Sequence, residues 1–105
     1  MSYLLVLSAV PTLAEARKLA SLLLQKKAAA CVNITSAFES HYRWKGKMQK
    51  SREYMLFIKT RRRSFAVLEK LLRKNHSYAV PEIIGIPIQK GSRKYLAWLS
   101  KETCR

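Results

Sequence analysis

The 105-residue sequence predicts an α+β fold of the ferredoxin-like, split β-α-β kind, in the order βαββαβ with a short C-terminal helix. Three observations predict it. Short apolar runs of strand length alternate with longer segments of helical spacing. A glycine turn joins the two middle strands, which makes them an antiparallel hairpin. Two β-α-β halves of similar length fill the chain without a linker or low-complexity stretch, so residues 1–105 read as one domain.

Tyr3 to Ala9 is apolar, long enough for a buried strand and too short for a helix, and Pro11 ends it. Thr12-Leu13-Ala14-Glu15 then matches a capping box: the Thr12 hydroxyl accepts a free backbone N–H, and the Glu15 carboxylate reaches back. Leu13, Ala16, Leu19, Ala20 and Leu23 follow at helical spacing and predict a helix from about Leu13 to about Lys27. Lys26 and Lys27 suit its negative end. Ala29 to Ile34 reads as the second strand, continuing through Phe38, Ser40 and Tyr42 to Trp44. Lys45-Gly46-Lys47 is a turn signal, and a third strand runs from about Ser51 to Thr60. Ser64 is the expected N-cap of a second helix with Phe65, Leu68, Leu71 and Leu72 on its apolar face. Pro81 lies in a loop, Glu82 to Ile88 is the fourth strand, ending near Pro87, and Gly91-Ser92 opens a short helix bearing Tyr95, Leu96, Trp98 and Leu99.

Right-handed crossovers put both long helices on one face of a four-stranded sheet. The other face is apolar and needs a cover, and self-association is the simplest one. A core as small as this one gains stability from such association.

Twenty-one Lys and Arg face six acids, all Glu, for a net charge of +15. Such a field attracts polyanions and repels cations. It reads either as a solvated basic face or as a surface for nucleic acid, an acidic protein or an anionic membrane. Lys45, Lys47, Lys50 and Arg52 gather at the hairpin, and Arg61, Arg62 and Arg63 form a second group. No RNA-recognition signature accompanies them. The two cysteines, Cys31 in an apolar run and Cys104 near the C-terminus, form no CxxC and no disulfide framework. No stretch approaches the length of a transmembrane segment. The apolar start has no basic region before it, so the expected location is cytoplasmic. Without Asp, GxSxG, HExxH or a phosphate loop, the sequence predicts no enzyme.

Five segments in order resemble the CutA-like divalent-cation tolerance family across nearly the whole chain. They are Ala29 to Ile34, Tyr42-x-Trp44-x-Gly46-Lys47, Ile58-Lys59-Thr60, His76-x-Tyr78-x-Val80-Pro81-Glu82-Ile83 and Tyr95-Leu96-x-Trp98. The resemblance implies a ferredoxin-like subunit in a homotrimer, a role in metal-ion tolerance and response, and binding of copper or another divalent cation. A closed ring of three would also remove the free edges of a hairpin too long for a four-stranded sheet to pair.

In relatives that bind copper, the resemblance places a Cys at the end of the first strand and a His-His pair after the second long helix. Those positions fall on Ser8 and on Asn75-His76 here, which leaves His76 as the one retained metal ligand. Trp44, Lys59, His76, Tyr78 and Glu82 are expected to line a cleft between subunits, with Lys59 close to Glu82. That cleft reads as a structural Lys-Glu pair with aromatic packing, or as a site for a small anion or a metal. Three roles follow: a metal-tolerance trimer, a basic trimer that binds a polyanion, or a regulatory trimer with a small ligand in the cleft.

Overall fold

The structure, a computed structural model, describes residues 2–103; Cys104 lies outside the described residues. Strand β1 spans Tyr3–Val10, helix α1 Leu13–Gln25, β2 Cys31–Ile34, β3 Phe38–Trp44 and β4 Lys47–Arg61. Helix α2 spans Phe65–Asn75, β5 Ile84–Ile88 and α3 Arg93–Lys101. The sheet order is β2-β4-β1-β5, with β3 paired to the far half of β4, and every pairing is antiparallel. This is the split β-α-β arrangement that the element order predicts.

Strand alternation decides where the core sits. Leu4, Val6, Ser8 and Val10 of β1 are buried beside Leu56, Ile58 and Thr60 of β4. These positions face Ala16, Leu19 and Leu23 of α1 and Leu68 and Leu72 of α2, which close one hydrophobic core. The opposite sheet face carries Leu5, Leu7, Met55, Phe57, Ile84 and Ile86. Helix α3 covers only one end of that face. Tyr3 Oη and Ser100 Oγ are 2.8 Å apart, and the Arg61 guanidinium donates to Thr103 Oγ1 and Thr103 O, both at 2.8 Å.

The caps account for the helix ends. Thr12 Oγ1 accepts the Glu15 N–H at 3.1 Å and Ser92 Oγ accepts the Tyr95 N–H at 3.2 Å. Glu15 does not complete the expected reciprocal box. Its Oε2 instead accepts the Ser77 N–H at 2.9 Å, so the carboxylate ties the loop after α2 to the start of α1. Ser64 stands at the N-cap of α2 as expected, but its side chain makes no cap hydrogen bond, because a 3₁₀ turn over Arg62–Ser64 already brings it to helical angles. Helix α1 stops at Gln25, where Lys27 adopts φ 55° and Ala28 N–H donates to Leu23 O at 2.9 Å.

The middle strands depart from expectation at two places. The predicted continuous strand to Trp44 breaks after Ile34. Three residues lie between Ile34 and Phe38, but only two lie between their partners Leu56 and Glu53, so the 35–37 segment holds one extra residue, a β-bulge. Thr35 anchors it: its N–H donates to Met55 O at 3.0 Å, and its Oγ1 accepts the Met55 N–H at 2.9 Å. Beyond the bulge, β4 begins at Lys47 rather than Ser51 and makes a two-stranded arm with β3.

Candidate functional site

A cleft opens where this arm meets the loop between α2 and β5. Residues 77–80 and Glu82 form one wall, and Ala9, at the end of β1, lies between. Ser40, Tyr42 and Trp44 of β3 lie on one face of the arm together with Glu53, which stands directly across from Phe38. His41 completes the lining, and the cavity measures about 660 Å³.

The loop is held in place from behind. His76 is buried and its Nδ1 accepts the Tyr78 N–H at 3.0 Å, so Nε2 carries the proton and donates to Ala9 O at 2.9 Å. Glu15 Oε2 lies 3.7 Å from that Nδ1. The His76 and Tyr78 rings stack at a tilt, 5.0 Å between centroids. Tyr78 is thereby aimed across the cleft, where its hydroxyl donates to Glu53 Oε2 at 2.7 Å.

Two carboxylates set the electrostatics. Burial pushes the Glu82 carboxyl above its ordinary range, and the negative charge of Glu53 adds to the rise. Burial also raises the Tyr78 phenol, helped by its hydrogen bond to Glu53, so the phenol keeps its proton well into the alkaline range. No Lys or Arg lines the cleft among the described residues.

Trp44, Tyr78 and Glu82 meet in this cleft, which lies within one chain, whereas the expected cleft lay between subunits. His76 stands behind its wall, with both ring nitrogens hydrogen-bonded to backbone. Lys59 is elsewhere. It pairs in register with Leu5 and Cys31, and its Nζ donates to Asn33 Oδ1 and lies 3.9 Å from Cys31 Sγ. The cleft begins at Ala9, four β1 residues on, or about 13 Å away. Lys59 and Glu82 therefore do not pair within one chain. Glu53, Tyr42, Ser40, His41, Ser77, Ala79 and Val80 also line the cleft, and none of them was expected there. The alternation of Ser40, Tyr42 and Trp44 along one strand is a sequence signal for three of them.

The basic groups also separate. Lys45, Lys47, Lys50 and Arg52 are exposed on the arm, and Arg62 and Arg63 are exposed in the 3₁₀ turn. Arg61 leaves the second group: it is buried against Thr103, because its strand position points under α3. Nine steps along β4, roughly 30 Å, separate Arg52 from Arg61, so the two groups do not merge into one patch. Ser8 is fully buried on the helix side of β1, and Asn75 Nδ2 donates to Leu71 O at 2.9 Å. No three His, Cys, Asp or Glu residues converge as a metal-binding group among the described residues. The donor set here does not fit a closed copper site. No helix of the described residues is long and apolar enough to cross a membrane.

A family model described as CutA1 divalent ion tolerance protein matches residues 4–102. The chain is 47% identical over 94 residues to the chloroplastic CutA protein of Arabidopsis thaliana, covering 90% of this chain and 52% of that one. It is 41% identical over 98 residues to the divalent-cation tolerance protein CutA of Thermus thermophilus, covering 93% and 95%. The chain thus spans about half the length of the plant relative and nearly all of the bacterial one. The solved structure of a Thermus thermophilus divalent cation tolerance protein superposes with a TM-score of 0.95 at 39% identity, covering 97% and 99%. That of CutA1 from Oryza sativa gives 0.96 at 40% identity, covering 99% and 95%.

Proposed function

The chain belongs to the CutA1 divalent ion tolerance protein family, and from that membership we propose that it acts in divalent-cation tolerance as a non-catalytic homotrimer. The observation that carries the assembly is the sheet face opposite the helices. Leu5, Leu7, Met55 and Phe57 are only half-buried there, and Ile84 and Ile86 are 50% and 41% exposed. Apolar side chains on a continuous face favour a protein partner. The arm supports a closed ring, because it leaves strand edges that neighbouring copies cover.

Copper is the specific ion in this reading. With no closed site, an ion binds at an open position. His76 is buried and serves only if its ring releases Ala9 O and the Tyr78 N–H and turns outward. The other candidate is the exposed His41, whose Nε2 lies 3.1 Å from Glu39 Oε1. Light scattering at micromolar concentration is expected to give the mass of three chains, and a stable single subunit overturns the trimer. Calorimetric titration with copper is expected to show a saturable site that weakens in His76→Ala or His41→Ala. Flat heats remove copper from the reading and leave the assembly standing.

The polyanion reading has its own observation. Alternation sends Arg43, Lys50 and Arg52 to the face of the arm away from the cleft. Only Glu39 offsets them there, 3.7 Å from Lys50 Nζ. Binding of a labelled single-stranded oligonucleotide is expected at low salt, falling steeply as salt rises. No binding at low salt ends that reading.

A further inference from the structure

We propose that the cleft between the arm and the 77–82 loop is a binding site for a small organic cation, a protonated amine that sets its ammonium on Glu82 and Glu53 and its carbon body against the rings of Tyr42 and Trp44. The inference stands apart from the metal and polyanion readings and needs neither.

Size comes first. At about 660 Å³ the cavity falls within the range of small-molecule sites, and Ser77 and the tethered Tyr78 make its far wall a fixed one. Charge comes second. The chain has six Glu carboxylates against twenty-one Lys and Arg, yet two of the six line this cleft and no Lys or Arg does among the described residues, His41 being its one imidazole. A protein that repels cations over most of its surface has here a local negative site. Glu53 is held by the Tyr78 hydroxyl and keeps its second oxygen for a donor. A positive charge placed between Glu53 and Glu82 relieves the repulsion that raises the Glu82 carboxyl.

The wall chemistry selects the kind of cation. Tyr42 and Trp44 are 43% and 44% exposed on the cleft side of β3, a large aromatic area left open to solvent. Aromatic faces attract an ammonium through the ring quadrupole and bury the carbon attached to it. They are not ligands for a bare dication, which needs about six oxygen donors, and no metal-binding cluster forms among the described residues. An anion would meet two carboxylates and is excluded on charge. A Lys or Arg side chain from a second copy has the same chemistry as a free amine, and competition separates the two sources.

The test is calorimetric titration of the whole protein with benzylammonium chloride, with benzyl alcohol and magnesium chloride run in parallel at equal ionic strength. Saturable binding of one benzylammonium per chain is expected, with little heat from the alcohol or magnesium. Glu82→Gln and, separately, Trp44→Leu are each expected to weaken it about tenfold or more. Fluorescence in a Trp98→Phe background reads Trp44 directly and is expected to change with the same midpoint. No saturable binding below about 10 mM, equal binding of benzyl alcohol, or unchanged affinity in Glu82→Gln overturns the proposal. Magnesium binding without amine binding, or a cleft already closed by a neighbouring copy's basic side chain, overturns it as well.

Discussion

Ser8 and Glu82 show how single side chains can work against the fold they sit in. The Ser8 hydroxyl is fully buried and has no hydrogen-bond partner among the described residues. An unmet buried hydroxyl costs about 1–3 kcal/mol. Ser8→Ala is therefore expected to stabilise the protein by about 1 kcal/mol in urea denaturation, after allowance for the small void. Glu82 carries the second cost. Its folded pKa lies above its unfolded value, so its contribution to stability is full below the unfolded pKa and is lost as pH rises through the folded one. Glu82→Gln is expected to raise Tm at pH 7, with the gain over wild type fading toward pH 4. A gain that persists unchanged at low pH removes the carboxylate pair as its cause. His76 works the other way. With both ring nitrogens bonded to backbone and its side chain buried, His76→Ala is expected to cost about 2–4 kcal/mol. Loss of copper binding in that variant counts only if the fold is intact, which circular dichroism checks.

At the scale of elements, the bulge and the arm turn matter most. Thr35 replaces a missing ladder bond with its own hydroxyl, and it sits where the sheet hands over to the arm. Thr35→Val keeps the shape and removes the acceptor. The expected result is a loss of about 1 kcal/mol and faster amide exchange at Met55, with the β1–β4 ladder unchanged. At the tip, Lys45 and Gly46 have φ 53° and 77°, both left-handed, as a two-residue hairpin loop of type I′ requires. Glycine takes this angle freely and lysine does not. Lys45→Asn is expected to gain about 0.5–1 kcal/mol, read as a rise in denaturation midpoint.

The whole molecule is elongated because of that arm. Its extents are 44 × 25 × 23 Å and its radius of gyration is 14.2 Å, against about 13 Å for a compact chain of this length. Fifteen residues of a twisted β4 span roughly 45 Å, which matches the long axis. An arm of this length and an apolar sheet face make the proposed trimer the state to test. Phe57→Lys puts a charge on the open face and leaves the helix-side core untouched. It is expected to shift the three-chain species toward single chains in light scattering, with helix and strand content retained. Retention of the assembly moves the interface elsewhere.

Much of this was legible in the residues themselves. The 3.6 and 2.0 periods, Thr12 before α1, Ser92 before α3 and Gly46 between two alternating runs determined the element order and the split β-α-β class. The five ordered segments determined the family. Local rules reach that far because propensity, capping and turn geometry act over a few neighbouring residues. Only the tertiary structure decided that Lys59 sits beside Asn33 rather than Glu82 and that Arg61 lies under α3. It also decided that Glu53 meets Tyr78 and that Glu15 holds the 76–78 loop instead of closing its own cap. Each of these depends on strand register or on a contact between residues far apart in the chain. A one-residue bulge shifts the register of the whole arm, and no short-range pattern records it.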